Sequence, residues 1–222
     1  MLFYNELIFI VHVFTAIGLT FGALRLGKEW LISFIAVQAI FANLFVFKQM
    51  QLFGLFVTCG DVYIVSAIFG LNLLQEFFGK EPVKRAIYLG VALSLSFIVL
   101  TYLHLLYTPS SFDTMQGHYQ AILGHTPRVI IASHLVSFCI QQLDCFLYGV
   151  LYSWCNGKYI VARNFISVSI TQACDTILFS IVGLYGLVYS IGDIMLMSFT
   201  IKIIVIAMLS PMMFLIKKYM KV

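Results

Sequence analysis

Charge is what this sequence has least of. Only 10% of its 222 residues are Asp, Glu, Lys or Arg, against about 25% in an ordinary soluble domain. Hydrophobic residues make up 62%. Too few polar side chains remain to cover the surface of a soluble fold of this size. The composition therefore points to an integral membrane protein. Metal and disulfide signatures are also missing. The five cysteines, Cys59, Cys139, Cys145, Cys155 and Cys174, are odd in number and form no C-x-x-C. They read as free thiols acting as small apolar side chains. The five histidines show no metal-binding spacing, and no H-E-x-x-H, G-x-S-x-G, phosphate loop or dinucleotide fingerprint occurs. Neither an enzyme nor a cofactor is expected. The first apolar run lacks a basic leader and a small-residue cleavage site, so no cleavable signal peptide is expected.

What the sequence has in quantity is long apolar runs. A membrane-spanning helix needs about 20 mostly apolar residues. Seven stretches qualify: 6–24, 30–47, 54–78, 86–107, 128–152, 164–189 and 194–216. Connections between them are short, apart from a polar loop at 108–126 with some helical character. No linker divides the chain, so residues 1–222 read as a single transmembrane domain. The expected fold is an all-α, polytopic helical bundle in a lipid bilayer. The net charge of +4 is distributed at the ends of the runs, a topology signal and not a nucleic-acid footprint. With the N-terminus outside, ten basic residues fall in inner segments: Arg25, Lys28, Lys80, Lys84, Arg85, Lys158, Arg163, Lys217, Lys218 and Lys221. Only Lys48 and Arg128 fall outside. This bias places the C-terminus in the cytoplasm. Gly18 and Gly22 form a GxxxG in the first run. Such a pair permits close helix approach, within the chain or, as the alternative, in a homodimer.

Polar groups inside these runs are costly, at least about 2.5 kcal/mol for each ionised one at mid-depth. The ionisable ones are Asp61, Glu76, Asp144, Asp175 and Lys202, and the amides are Asn43, Asn72, Gln141, Gln142 and Gln172. Gln141 and Asp144 stand at i,i+3, as do Gln172 and Asp175, so each pair shares a helix face. With a rise of about 1.5 Å per residue, Gln141 falls level with Asp175, Asp144 with Gln172, and Lys202 near the same plane. Two readings compete. Polar side chains can fasten membrane helices together, at about 0.6 kcal/mol per pair, or they can line a ligand cavity. The whole set exceeds what packing requires. Lys202 neutralises only one of Asp144 and Asp175, which leaves the cavity anionic if both ionise. Asn72 and Glu76 form a separate i,i+4 pair near the inner end of the third run, where Glu76 pairing with Lys80 is the simpler alternative. Gly79 suits a helix stop there. His134 is expected to pack in the core, with an edge position on the cavity as the alternative.

Several stretches carry a family resemblance: FANLFVFKQMQLFG (41–54), GLNLLQEFFGK (70–80), TPRVIIAS (126–133), QQLDCFLY (141–148), RNFISVSITQACDTILF (163–179), and Lys202 followed by Pro211. In order and content they resemble the queuosine precursor transporters, also called the vitamin uptake transporter family. The resemblance implies uptake of 7-deazaguanines (preQ0, preQ1 or queuine) across a bacterial inner membrane, for salvage into transfer RNA queuosine. It implies a bundle related to the substrate-binding components of energy-coupled vitamin transporters, acting without their ATPase module. The alternatives are a substrate-capture subunit that needs such a partner, a membrane enzyme, and a purely structural helical protein. The chain departs from the family pattern by carrying Asp61 where an amide is usual and Asn72 where a carboxylate is usual. The site implied comprises Asn43, Asn72, Glu76, Gln141, Asp144, Arg163, Gln172, Asp175 and Lys202. Asp175 or Asp144 would take the guanine edge, with Gln141 and Gln172 on neighbouring polar atoms. Phe138, Phe146 or Phe179 would stack on the ring, and Arg163 stands at the inner mouth.

Overall fold

A computed structural model describes residues 4–154 and 160–204; of residues 141, 144, 145, 148, 149, 152 and 160–165 only the backbone is described. Eight helices and one hairpin follow in order: α1 (Tyr4–Leu26), α2 (Lys28–Phe45), β1 (Gln49–Leu52), β2 (Leu55–Thr58), α3 (Asp61–Phe78), α4 (Lys80–Leu105), α5 (Gln116–Leu123), α6 (Thr126–Trp154) and α7 (Ile160–Phe179). Helix α8 is described over 191–204. Among the described residues, five helical stretches are long and apolar enough to cross a membrane: α1, α2, α3, α4 and Ile166–Leu184. Large side chains such as Phe14, Leu100 and Ile177 are exposed on them. In a bilayer that outer surface faces lipid, which is as apolar as the side chains themselves.

The interior is built from close contacts. Leu24, Leu31, Phe69, Leu73 and Leu74 form a buried cluster among α1, α2 and α3. At Gly70 the α3 backbone lies so close to the Ile35 side chain of α2 that an added Cβ would sit 2.7 Å from its Cγ1. Thr20 and Ser66 share a buried hydrogen bond of 3.0 Å between α1 and α3. By contrast, a Cβ added at Gly18 or Gly22 would meet nothing within 4 Å. The close intramolecular approach expected from that GxxxG does not occur among the described residues, because α1 packs through Ala16, Thr20, Ala23 and Leu24 instead.

The expected third span, 54–78, is corrected at its start. Residues 49–58 form an antiparallel hairpin, pairing Gln49 with Thr58 and Leu52 with Leu55. Phe53 and Gly54 make the turn, with φ of 51° and 82°. Positive φ at both central residues is the signature of a type I′ turn, whose twist matches paired strands. Unpaired backbone groups are costly near a membrane, and side chains meet those of this hairpin. Asn5 donates to Gln51 O at 3.1 Å, Phe53 N donates to Glu6 at 2.9 Å, and Phe56 N donates to Asp193 at 3.3 Å. Tyr189 N donates to the Gln49 side chain at 2.9 Å. Leu52, Val57 and Met197 bury the inner face of the hairpin against α8.

The sixth expected span, 164–189, also ends early. Helix α7 passes into a π-helical turn at Ser180–Leu184 and stops. Arg128 from α6 then donates to Val182 O and to Tyr185 O, at 3.2 and 2.8 Å. A helix end leaves carbonyls without partners, and this guanidinium supplies donors to two of them. The start of α1, the hairpin, the start of α6 and the 182–193 stretch therefore meet at one end of the bundle. Gly79 ends α3, its N–H donating to Gln75 O, as its position in the sequence suggests. The break puts Glu76 and Lys80 on different helices. The polar loop contains α5, in line with its expected helical character.

Candidate functional site

Helices α2, α3, α6, α7 and α8, with Thr58 of the hairpin, enclose a cavity of about 390 Å³. This lies within the range of roughly 300–1,000 Å³ typical of small-molecule sites. Each wall contributes polar groups: Asn43 from α2, Asp61 from α3, Ser133, His134 and Ser137 from α6, Gln172, Asp175 and Thr176 from α7, and Ser198 and Lys202 from α8. Apolar residues such as Ile64, Ile68, Phe179 and Ile194 complete the lining. An apolar pocket with a few convergent polar groups is the usual form of a ligand site.

Lys202 is the electrostatic centre. Its Nζ donates to Asp175 at 2.7 Å and to Thr176 Oγ1 at 3.1 Å. The Lys202 side chain is 5% exposed and that of Asp175 is 23% exposed. A buried ammonium needs such partners, since an isolated charge in a low-dielectric interior costs several kcal/mol. Helical spacing brings the groups together. Asp175 and Thr176 are adjacent on α7, and Gln172 lies one turn away at i,i+3. Ser198 and Lys202 stand at i,i+4 on α8. Ser198 donates to Asp61 across the cavity wall. Asn43 is held against its own helix, with its amide nitrogen on Ala39 O at 2.8 Å.

Of the residues singled out in the sequence, Asn43, Gln172, Asp175 and Lys202 line this cavity together. Asn72 and Glu76 do not line it; they follow Ile68 at i,i+4 steps along α3, beyond the cavity wall. The side chains of Gln141, Asp144 and Arg163 lie outside the described set. Of the three aromatics named for stacking, Phe179 lines the cavity, whereas Phe138 and Phe146 are 64% and 67% exposed on the outside of α6. The reason is helical phase: Ser133, Ser137 and Ile140 hold the inward face of α6, and residues 138 and 146 fall off it. His134 takes the alternative of its two expected places and is part of the lining.

Among the groups that come to the site although sequence reasoning leaves them aside are Asp61 and Ser198. Asp61 stands out as an intramembrane carboxylate, yet only the fold carries it to the cavity. Ser198 had a legible signal, since it shares a helix face with Lys202. The open start of α3 hid Asp61. Reading 54–60 as helix displaces it along the span, whereas the hairpin makes it the first residue of α3.

A helical membrane bundle with a polar cavity between its helices suits the binding of a small molecule within the membrane. The chain matches, over residues 58–216, the family described as "Putative vitamin uptake transporter", and it belongs to that family. It is also 31% identical over 162 residues to the "Probable queuosine precursor transporter" of Bacillus subtilis (strain 168), covering 72% of this chain and 71% of the relative. No solved structure matches it. The chain is thus a multi-pass membrane protein with a transporter role.

Proposed function

We propose that this chain imports queuosine precursors, the 7-deazaguanines, across the bacterial inner membrane. The observation that carries this reading is the convergence of Asn43, Gln172, Asp175 and Lys202 on one cavity, in a chain related to a queuosine precursor transporter. A deazaguanine presents a ring N–H beside an exocyclic amine. One carboxylate accepts from both, as acidic side chains accept from base edges. Asp175 takes this role, with Lys202 fixing its orientation. The ring carbonyl takes a hydrogen bond from the Gln172 amide or from a remaining proton of Lys202. Phe179 offers an aromatic face for stacking. Gln141, Asp144 and Arg163 complete the site from α6 and α7, and Asn72 and Glu76 mark the inner end of the path.

The proposed topology has seven spans, with the N-terminus outside and the C-terminus cytoplasmic. The meeting of the α1 start, the hairpin, the α6 start and the 182–193 stretch at one end supports it, since alternation assigns all four to the outer side.

The test is expression in bacteria that can neither make nor import queuosine precursors but hold the enzymes to use them. PreQ0, preQ1 and queuine are fed separately, and queuosine in transfer RNA is assayed. The wild type restores queuosine with at least one compound, and Asp175→Asn at equal membrane abundance does not. No restoration with any compound, despite good membrane expression, overturns the reading.

A further inference from the structure

Asp61 is 4% exposed and lines the cavity. Its Oδ1 accepts from Ser198, while its Oδ2 has no hydrogen-bond partner among the described residues. A buried polar atom left in that condition costs about 1–3 kcal/mol. Lys202 does not relieve it: its Nζ is bonded to Asp175 and Thr176. Among the described residues, the cavity therefore holds two carboxylates, Asp61 and Asp175, and one ammonium, Lys202. The remaining titratable group in the lining is His134, whose Nε2 is likewise buried without a partner. The walls supply one paired and one unpaired carboxylate, and the unpaired one asks for a donor, best a cationic one. A hydrogen bond to a charged group is worth roughly twice a neutral one.

We propose that Asp61 is the cation-recognising carboxylate of the cavity, so that the site selects a deazaguanine bearing a protonated aminomethyl arm over one bearing a neutral substituent. The inference rests on the deazaguanine reading of the site and adds to it a charge preference. Asp175 takes the guanine edge beside Lys202. The arm reaches the α3 wall, where a turn about the Cβ–Cγ bond of Asp61 presents Oδ2 to the ammonium. The cation also balances the one carboxylate that Lys202 leaves over among the described residues.

The test measures binding of 7-aminomethyl-7-deazaguanine and 7-cyano-7-deazaguanine to the purified full chain in detergent. The wild type binds the aminomethyl compound more tightly. Asp61→Asn weakens that compound about ten- to a hundredfold, and leaves the cyano compound within about threefold, as loss of one charge-assisted bond requires. Equal or tighter binding of the cyano compound by the wild type overturns the proposal, and that arm needs no variant. Equal weakening of both compounds in a folded Asp61→Asn also overturns it, since it marks Asp61 as structural. Failure of the wild type to bind either compound or queuine overturns the deazaguanine reading itself, and so is distinguishable from failure of the charge preference.

Discussion

Lys202 and Asp175 show what a charged side chain requires inside a membrane. The ammonium is accommodated because two oxygens of α7 lie within hydrogen-bond distance. Removing one partner of a buried pair costs about 3–5 kcal/mol, because the other charge stays behind. Asp175 keeps some access to the cavity, which places Lys202→Met at the lower end, about 3 kcal/mol. Thermal unfolding in detergent measures this as a lowered midpoint, accompanied by loss of uptake. Removing both charges together, in Asp175→Asn with Lys202→Met, recovers part of the stability but none of the uptake, since the substrate contact is gone. Full recovery of uptake in the double variant would show that the pair serves packing alone.

The hairpin and the end of α7 hold the outer side of the bundle together. Gly54 sits at φ 82° with open space around it, so a side chain there is opposed by the backbone and not by neighbours. Gly54→Val strains the turn by about 1–3 kcal/mol. Limited proteolysis near the hairpin then becomes faster at unchanged fold, whereas an unchanged cleavage rate would show that the turn bears no strain. Arg128→Ala removes the donors from Val182 O and Tyr185 O. The exposed end of α7 then frays, and backbone amide exchange over 180–187 accelerates while α2 and α3 stay protected. These elements were only partly legible beforehand. Alternation in QMQL before Phe53-Gly54 was a hairpin signal, but the surrounding apolar run made a continuous helix the simpler reading. The π-helical turn leaves no such mark, because it depends on how α6 meets α7.

For the whole molecule, assembly depends on the helices approaching closely at a few points. Gly70→Leu would drive a side chain into Ile35, where even a Cβ lies within 2.7 Å. Overpacking of this kind costs about 1–3 kcal/mol or more, seen as a lower melting midpoint; an unchanged midpoint would mean that α2 yields freely. Topology is checked with single cysteines read by a membrane-impermeant thiol reagent. Ser111→Cys in the exposed loop after α4 labels in intact cells, and Lys84→Cys at the start of α4 labels only after permeabilisation. The reverse pattern inverts the proposed orientation.

Composition and periodicity alone determined that this chain is a helical membrane protein. They also marked Asn43, Gln172, Asp175 and Lys202 as polar groups too costly to leave in lipid without a purpose. These facts are local: transfer energy belongs to each residue, and helical spacing belongs to each run. The tertiary structure decided which of those groups meet. Asn72 and Glu76 share a helix with Asp61, yet only Asp61 reaches the cavity. Phe179 lines the cavity, whereas Phe138 and Phe146 face outward. The pairing of Asp175 with Lys202, and the unpaired oxygen of Asp61, depend on the depth and rotation of α3, α7 and α8. Those are set by contacts between segments distant in the chain, such as Phe56 with Asp193 and Arg128 with Val182, and no single run encodes them.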